Sequence, residues 1–370
     1  MKNFQKPWKV ALLCAILLHS MSTFAQQKIA QFTIHGQLNG AKDGTIVKLH
    51  DIDKAKTIDS AQVINGKFVL TGHVDEPTTC WLRCGEEYTT IQVENVRMNF
   101  SSPLKDMKLN SITSGGKEQS LQTELDRLLR PYEKVYTPLY DSLNKKLYQD
   151  TTQRKQMVKT FNAAIDAYQN VYVAFGKRNI NSYLGLDIVY RNRKAIPKDS
   201  VLLLFNSLTH QLKATDKAKA LSIYAKEILA KKGHKYLDFS AVGINGEPFQ
   251  LSTLKDKYIY LAFGSFGCVP CRIENREISK NYELLSKSLH IVNFSLDVNR
   301  KEWELAAKQD GIKWYNVSDM AGMAGKIKTL YDVQAMPTSF LIDKNGIIVE
   351  RFDGYSEENL NRIKKIIGLN

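Results

Sequence analysis

Cys268 and Cys271 stand with two residues between them in the stretch GSFGCVPCRIEN, residues 264–275. Two thiols at that spacing can exchange with a partner's disulfide, close a permanent cross-link, ligate a metal, or reduce a peroxide. The preceding run YIYLAFGS reads as a strand, and the apolar spacing from Cys271 to about Leu285 reads as a helix. Cys268 therefore falls where a helix opens. Unpaired backbone N–H groups and the positive end of the helix dipole favour a thiolate there. Pro270 suits a first helical turn, where its missing N–H is no loss. This makes Cys268 the expected nucleophile and Cys271, one turn on, the expected resolving thiol.

The rivals explain less. A permanent cross-link over so short a loop removes little chain entropy. A zinc site needs Cys80 and Cys84 to converge on this pair from a distant part of the chain. A peroxidatic threonine three residues ahead of Cys271 is absent, since that position is Cys268. A thiol peroxidase acting by another route stays open, and no metal or cofactor is expected. Glu274, three residues after Cys271, lies near the same helical face and is either a proton acceptor or a solvated surface acid. Arg272 reads as surface charge. In YDVQAMPTSFLIDKNGIIVERF, Pro337 precedes a strand and a turn at Asn345-Gly346, so by itself it is a loop proline of either isomer.

The elements that must position these residues follow from periodicity. From Phe32 to about Asn99 the pattern has period two, with turn signals at Asn39-Gly40, Asp43-Gly44 and Asn65-Gly66, which predicts hairpins in a small β-sandwich or barrel. From about Glu118 it changes. Val158, Phe161, Ile165, Tyr168, Tyr172 and Phe175 form one helical stripe, a further helix is expected from a cap near Ser200, and another is expected to end at Lys231-Lys232-Gly233. Beyond Gly233, strand-like and helix-like runs alternate, as in an α/β domain with a central sheet. The chain is thus read as multidomain: a signal peptide at 1–25, an all-β, sandwich-like N-terminal domain at 26–110, a helical middle region at 111–233 and an α/β domain at 234–370.

From about Tyr236 to Asn370 the chain resembles the TlpA-like, or ResA-like, thioredoxins of bacterial envelopes. The CxxC with a downstream proline carries the likeness, together with the segment DFSAVGINGEPFQLSTLKDKYIYLAFGS. The resemblance implies a thioredoxin-like fold, thiol-disulfide oxidoreductase activity and a cis Met336-Pro337 bond beside the CxxC. It further implies that Met336 and Pro337 contact an extended substrate segment, and that Glu274, matching an acid of ResA-like proteins, receives the Cys271 proton. The β-rich portion is similar to a domain of unassigned role that often precedes TlpA-like domains. This chain departs from the family at Gly264 and Gly267, where tryptophans are usual, and at Ala262, where many thioredoxins bury an aspartate.

Residues 1–25 carry Lys2, Lys6 and Lys9, an apolar run from Val10 to Leu18 and Thr23-Phe24-Ala25, the pattern of a cleaved secretory signal. The run is too short to span a bilayer, and Leu13 before Cys14 argues against a lipoprotein, so a periplasmic chain without stable membrane insertion is expected. Removing three lysines lowers the formal charge from +14 to +11. Acids are interspersed among the lysines, and no nucleic-acid motif is present, which excludes nucleic acid as an expected partner. The expected partners are disulfide-containing envelope proteins and a membrane electron donor. Cys80 and Cys84 in CWLRC, if on a strand, face one side about 13 Å apart, beyond the limit of about 7 Å for a bridge, and read as small buried residues or, alternatively, as a relay in which one of them exchanges with Cys268. The competing reading is a binding or assembly module whose N-terminal domains carry the main role, regulated by the cysteines.

Overall fold

The computed structural model describes residues 30–54 and 56–369, so the expected signal at 1–25 lies outside the described residues. The β-rich portion comprises β1 (Phe32–Asn39), β2 (Ile46–Asp51), β3 (Lys56–Gln62), β4 (Lys67–Gly72), β5 (Thr78–Cys84), β6 (Glu87–Val93), β7 (Arg97–Pro103), the short α1 (Met107–Asn110) and β8 (Ile112–Ser114). Alternation along each strand buries one side only, as with Phe32, Ile34 and Leu38 on β1. Two four-stranded sheets, ordered β4-β1-β7-β8 and β3-β2-β5-β6, share one core in which Ile34, Leu70 and Met98 meet Val47, Leu49 and Leu82. The sandwich is therefore real. Its turns serve a different purpose from the expected hairpins: β1 pairs with β4 and, in parallel, with β7, so Asn39-Gly40 and Asp43-Gly44 carry the chain from one sheet to the other. Asn65 and Gly66, both at positive φ, close a tight turn in which Ile64 and Lys67 exchange backbone hydrogen bonds, and the strands on either side again belong to different sheets. Cys80 and Cys84 lie with Leu82 on the inward face of β5, buried and unbridged.

The middle region is helical: α2 (Lys117–Asn144), α3 (Thr151–Arg178), α4 (Tyr183–Arg191), α5 (Lys198–Asn206), α6 (His210–Lys213) and α7 (Asp216–Lys226). The aromatic stripe of α3 turns toward α2, with Phe161 and Tyr168 against Tyr136. Two expected boundaries move. The helix expected to be capped near Ser200 begins at Lys198 behind Pro197, whose restricted φ suits that end. The helix expected to end at Gly233 ends at Lys226 instead, because the following backbone finds partners in the C-terminal domain: Ala230 N–H donates to Leu330 and Gly233 N–H to Ile348. No helix among the described residues is long and apolar enough to cross a membrane.

The C-terminal domain runs β9 (Ser240–Gly243), β10 (Pro248–Gln250), β11 (Tyr258–Gly264), α8 (Val269–Lys280), α9 (Tyr282–Leu285), β12 (Leu289–Ser295), α10 (Arg300–Asp310), β13 (Tyr315–Ser318), α11 (Lys326–Leu330), β14 (Thr338–Ile342), β15 (Ile348–Asp353) and α12 (Glu357–Ile366). Its seven-stranded sheet has the order β10-β9-β13-β12-β11-β14-β15, parallel across β11, β12 and β13 and antiparallel at β14 and β15. β11 is near-continuously apolar because both of its faces are covered. Leu261 and Phe263 join one core with Phe294, Tyr331 and Phe340, while Tyr260 and Ala262 join the other with Ile278 of α8 and Ile363 of α12. Arg193 of the middle region is buried between the rings of Tyr190 and Tyr224 and reaches Asp332 at 3.6 Å, and Lys194 reaches the same carboxylate at 2.7 Å.

Candidate active site

β11 ends at Gly264, a three-residue loop follows, and Cys268 caps the N-terminus of α8, with Val269 and Pro270 in its first turn. Cys268 and Cys271 are joined by a disulfide, Cα atoms 5.3 Å apart, and the Cys268 sulfur accepts the Cys271 backbone N–H at 3.2 Å. That bond marks the position where the helix's free amides stabilise negative charge on sulfur. Both cysteines are buried, while Val269 between them is exposed.

Two acids hold the loop. Asp297, just past β12, accepts the Phe266 N–H on both oxygens and the Ser295 hydroxyl at 2.8 Å. Its burial pushes the carboxyl above the ordinary aspartate range. Asp310, at the end of α10, pairs with Arg272, which also donates to the Phe266 carbonyl at 3.3 Å and lies over the Phe266 ring. Surface charge is the expectation for Arg272, but its side chain is only 12% exposed, because the first turn of α8 packs against α10. Gly264 fits closely: a Cβ there would stand 3.2 Å from Cys271 Cβ and 3.3 Å from its sulfur. Gly267 faces open space.

Glu274 lies inside the domain, 7% exposed, so the solvated surface reading does not hold. It receives the Tyr260 hydroxyl, and burial pushes its carboxyl up to about 7. Glu274 is thus a buried acid on the helix that packs against Ala262 of β11, one turn beyond Cys271. Tyr260, Ser339, Asp297 and Asp310 go unread in the sequence. Their one signal is a polar atom inside or beside an otherwise apolar element.

The Met336-Pro337 peptide is cis. Thr338 pairs with Phe263, which puts Pro337 alongside Gly264, at the end of the sheet from which the disulfide loop departs. Met336 is half-buried against the core, and the Pro337 carbonyl accepts the Gly354 N–H at 2.8 Å. Cys268, Cys271 and Pro337 thus gather around one end of β11, with Glu274 on the same helix as Cys271 and bonded to Tyr260 farther back on the strand, whereas Cys80 and Cys84 belong to the sandwich core.

Both ends of the chain resemble known proteins. Residues 232–351 match the AhpC/TSA family, and residues 32–122 match a domain of unknown function, DUF4369. The thiol-disulfide oxidoreductase ResA of one Bacillus cereus strain is 31% identical over 125 residues, covering 33% of this chain and 69% of the relative. ResA of Bacillus anthracis is 32% identical over 127 residues, with 33% and 69% covered. Among solved structures, a thiol-disulfide oxidoreductase from Bacteroides fragilis NCTC 9343 is 28% identical, covers 36% of this chain and 99% of its own, and has a TM-score of 0.33. Through its C-terminal domain the chain belongs to the thioredoxin-fold family of ResA-like thiol-disulfide oxidoreductases.

Proposed function

We propose that this enzyme is exported to the periplasm and reduces disulfides of envelope proteins through the Cys268/Cys271 dithiol. The observation that carries the reading is a redox-capable pair whose first sulfur caps α8 and whose second lies one turn from a buried acid. The Cys268 thiolate attacks one sulfur of the client disulfide, forming a mixed disulfide and releasing the first client thiolate. Cys271 gives its proton to Glu274, and its thiolate attacks Cys268, forming the enzyme disulfide and expelling the second client thiolate. Two electrons pass to the client, which takes two protons. A membrane electron donor returns the dithiol. The Met336 backbone pairs with an extended client segment during exchange, with Pro337 in contact beside it. Export is supported by the basic, apolar and small-residue order of residues 1–25.

Insulin reduction with several reductants tests the reading. Activity that vanishes in Cys268→Ser, and a client adduct held on Cys268 in Cys271→Ala, are the expected results. Silence of the unaltered chain with every reductant would favour a binding module instead.

A further inference from the structure

The Tyr260 hydroxyl has two polar neighbours, the Glu274 carboxylate, to which it donates, and Ser339 Oγ at 2.8 Å. Tyr260 and Ser339 are each 1% exposed, so bulk solvent competes little for the hydrogen bonds of the trio. A phenol carries one hydrogen. When Glu274 is ionised, that hydrogen points to the carboxylate and Ser339 donates to the phenol oxygen. When Glu274 is protonated, the order reverses: the acid donates to the phenol and the phenol donates to Ser339. In both protonation states the Tyr260 hydroxyl therefore both donates and accepts, which a tyrosine with Glu274 as its one partner could not do.

Glu274 and Tyr260 both border a cavity of about 520 Å³ between α8 and α12, whose rim includes the exposed Glu357 and Asn361. The ionisable groups facing the cavity beside Glu274 are Glu277 on α8 and Tyr355, Glu357 and Lys364 from α12 and the turn before it, with Tyr260 from β11; Ser339 of β14 meets the Tyr260 hydroxyl. Burial and the Tyr260 hydrogen bond act on Glu274 in opposite directions, burial upward and the bond downward.

We infer that Tyr260, backed by Ser339, is the positioning residue that lets Glu274 take the Cys271 proton and hand it to water in the α8/α12 cavity. This rests on Glu274 being the proton acceptor in the resolving step. In that step the Cys271 S–H bond breaks and a Glu274 O–H forms, while the Tyr260 and Ser339 hydrogens rotate. The thiolate then closes the Cys268–Cys271 bond and the client thiolate leaves. The Glu274 proton departs through the cavity, away from the bound client.

The test is the pH dependence of single-turnover oxidation of the reduced full-length chain by glutathione disulfide. Unaltered enzyme gives a rate rising through an inflection that Glu274→Gln abolishes. Tyr260→Phe moves that inflection up by about one pH unit, and 3-fluorotyrosine at 260, a stronger donor of the same shape, moves it down. Tyr260→Phe added to Glu274→Gln changes nothing further in the pH dependence. An inflection lost in Glu274→Gln but unmoved by both Tyr260 replacements overturns the role of Tyr260 alone. An inflection that survives Glu274→Gln overturns the proton-acceptor reading, and this inference with it.

Discussion

Asp297 grips the Phe266 backbone amide with both carboxylate oxygens, at 2.9 and 3.0 Å, two residues ahead of Cys268. The strand end of β12 thereby sets the path of the loop that leads to Cys268. Asp297→Ala leaves that N–H without a partner and costs about 1–3 kcal/mol of stability. Small displacements of reacting groups are expensive, so client reduction is expected to fall about tenfold or more. Asp297→Asn, whose side-chain oxygen still accepts, recovers part of both. Denaturant midpoints and insulin reduction measured on the pair check this.

Asp310 is enclosed and answers two arginines, Arg272 at 12% exposure and Arg276 at 46%. Removing the shared acid strands a nearly buried guanidinium, so Asp310→Ala is expected to destabilise by about 3–5 kcal/mol. Arg276→Ala removes only a half-exposed partner and costs under about 1 kcal/mol. Urea titrations of the two variants giving equal losses would contradict this ranking.

Glu274 yields a pH signature of stability in the oxidised chain. Its carboxyl rises from an ordinary 4.5 to about 7 in the fold. Between those values the native state keeps a proton that the unfolded chain has lost, so stability falls as pH rises through the window. The loss approaches about 3 kcal/mol by pH 8. Glu274→Gln flattens that slope. Midpoints measured from pH 4 to 8 on both proteins supply the comparison, and parallel curves would rule the buried acid out as its source.

Cys80 and Cys84 are held in the sandwich core, where burial pushes both thiols above the ordinary cysteine range. In the reduced native chain, iodoacetamide is expected to label Cys268 first and to spare Cys80 and Cys84 until the sandwich unfolds. Peptide mapping of the oxidised chain is expected to find the 268–271 link and none between domains.

Local patterns carry far. The CxxC at a strand-to-helix junction, the proline at 337 and the alternation after Gly233 are short-range, and the predicted elements form close to where their periodicity puts them. Turn residues read correctly as reversals but wrongly as hairpins, because Asn39-Gly40 specifies a change of direction and not the strand that will lie alongside. The helix expected to reach Gly233 stops at Lys226 for a similar reason: cations and a glycine suit a helix end, yet the backbone there is claimed by Leu330 and Ile348, about a hundred residues away.

By itself the amino-acid order determined that two thiols meet at the opening of a helix, since their spacing and the helix behind them are properties of a few consecutive residues. The tertiary structure alone decided which charges serve it. Whether Glu274 or Arg272 meets water depends on what covers each face of α8: Tyr260, Ser339 and α12 enclose the acid, and α10 brings Asp310 to the arginine. Burial and partnership come from segments distant in the chain, and those are the factors that set proton affinity.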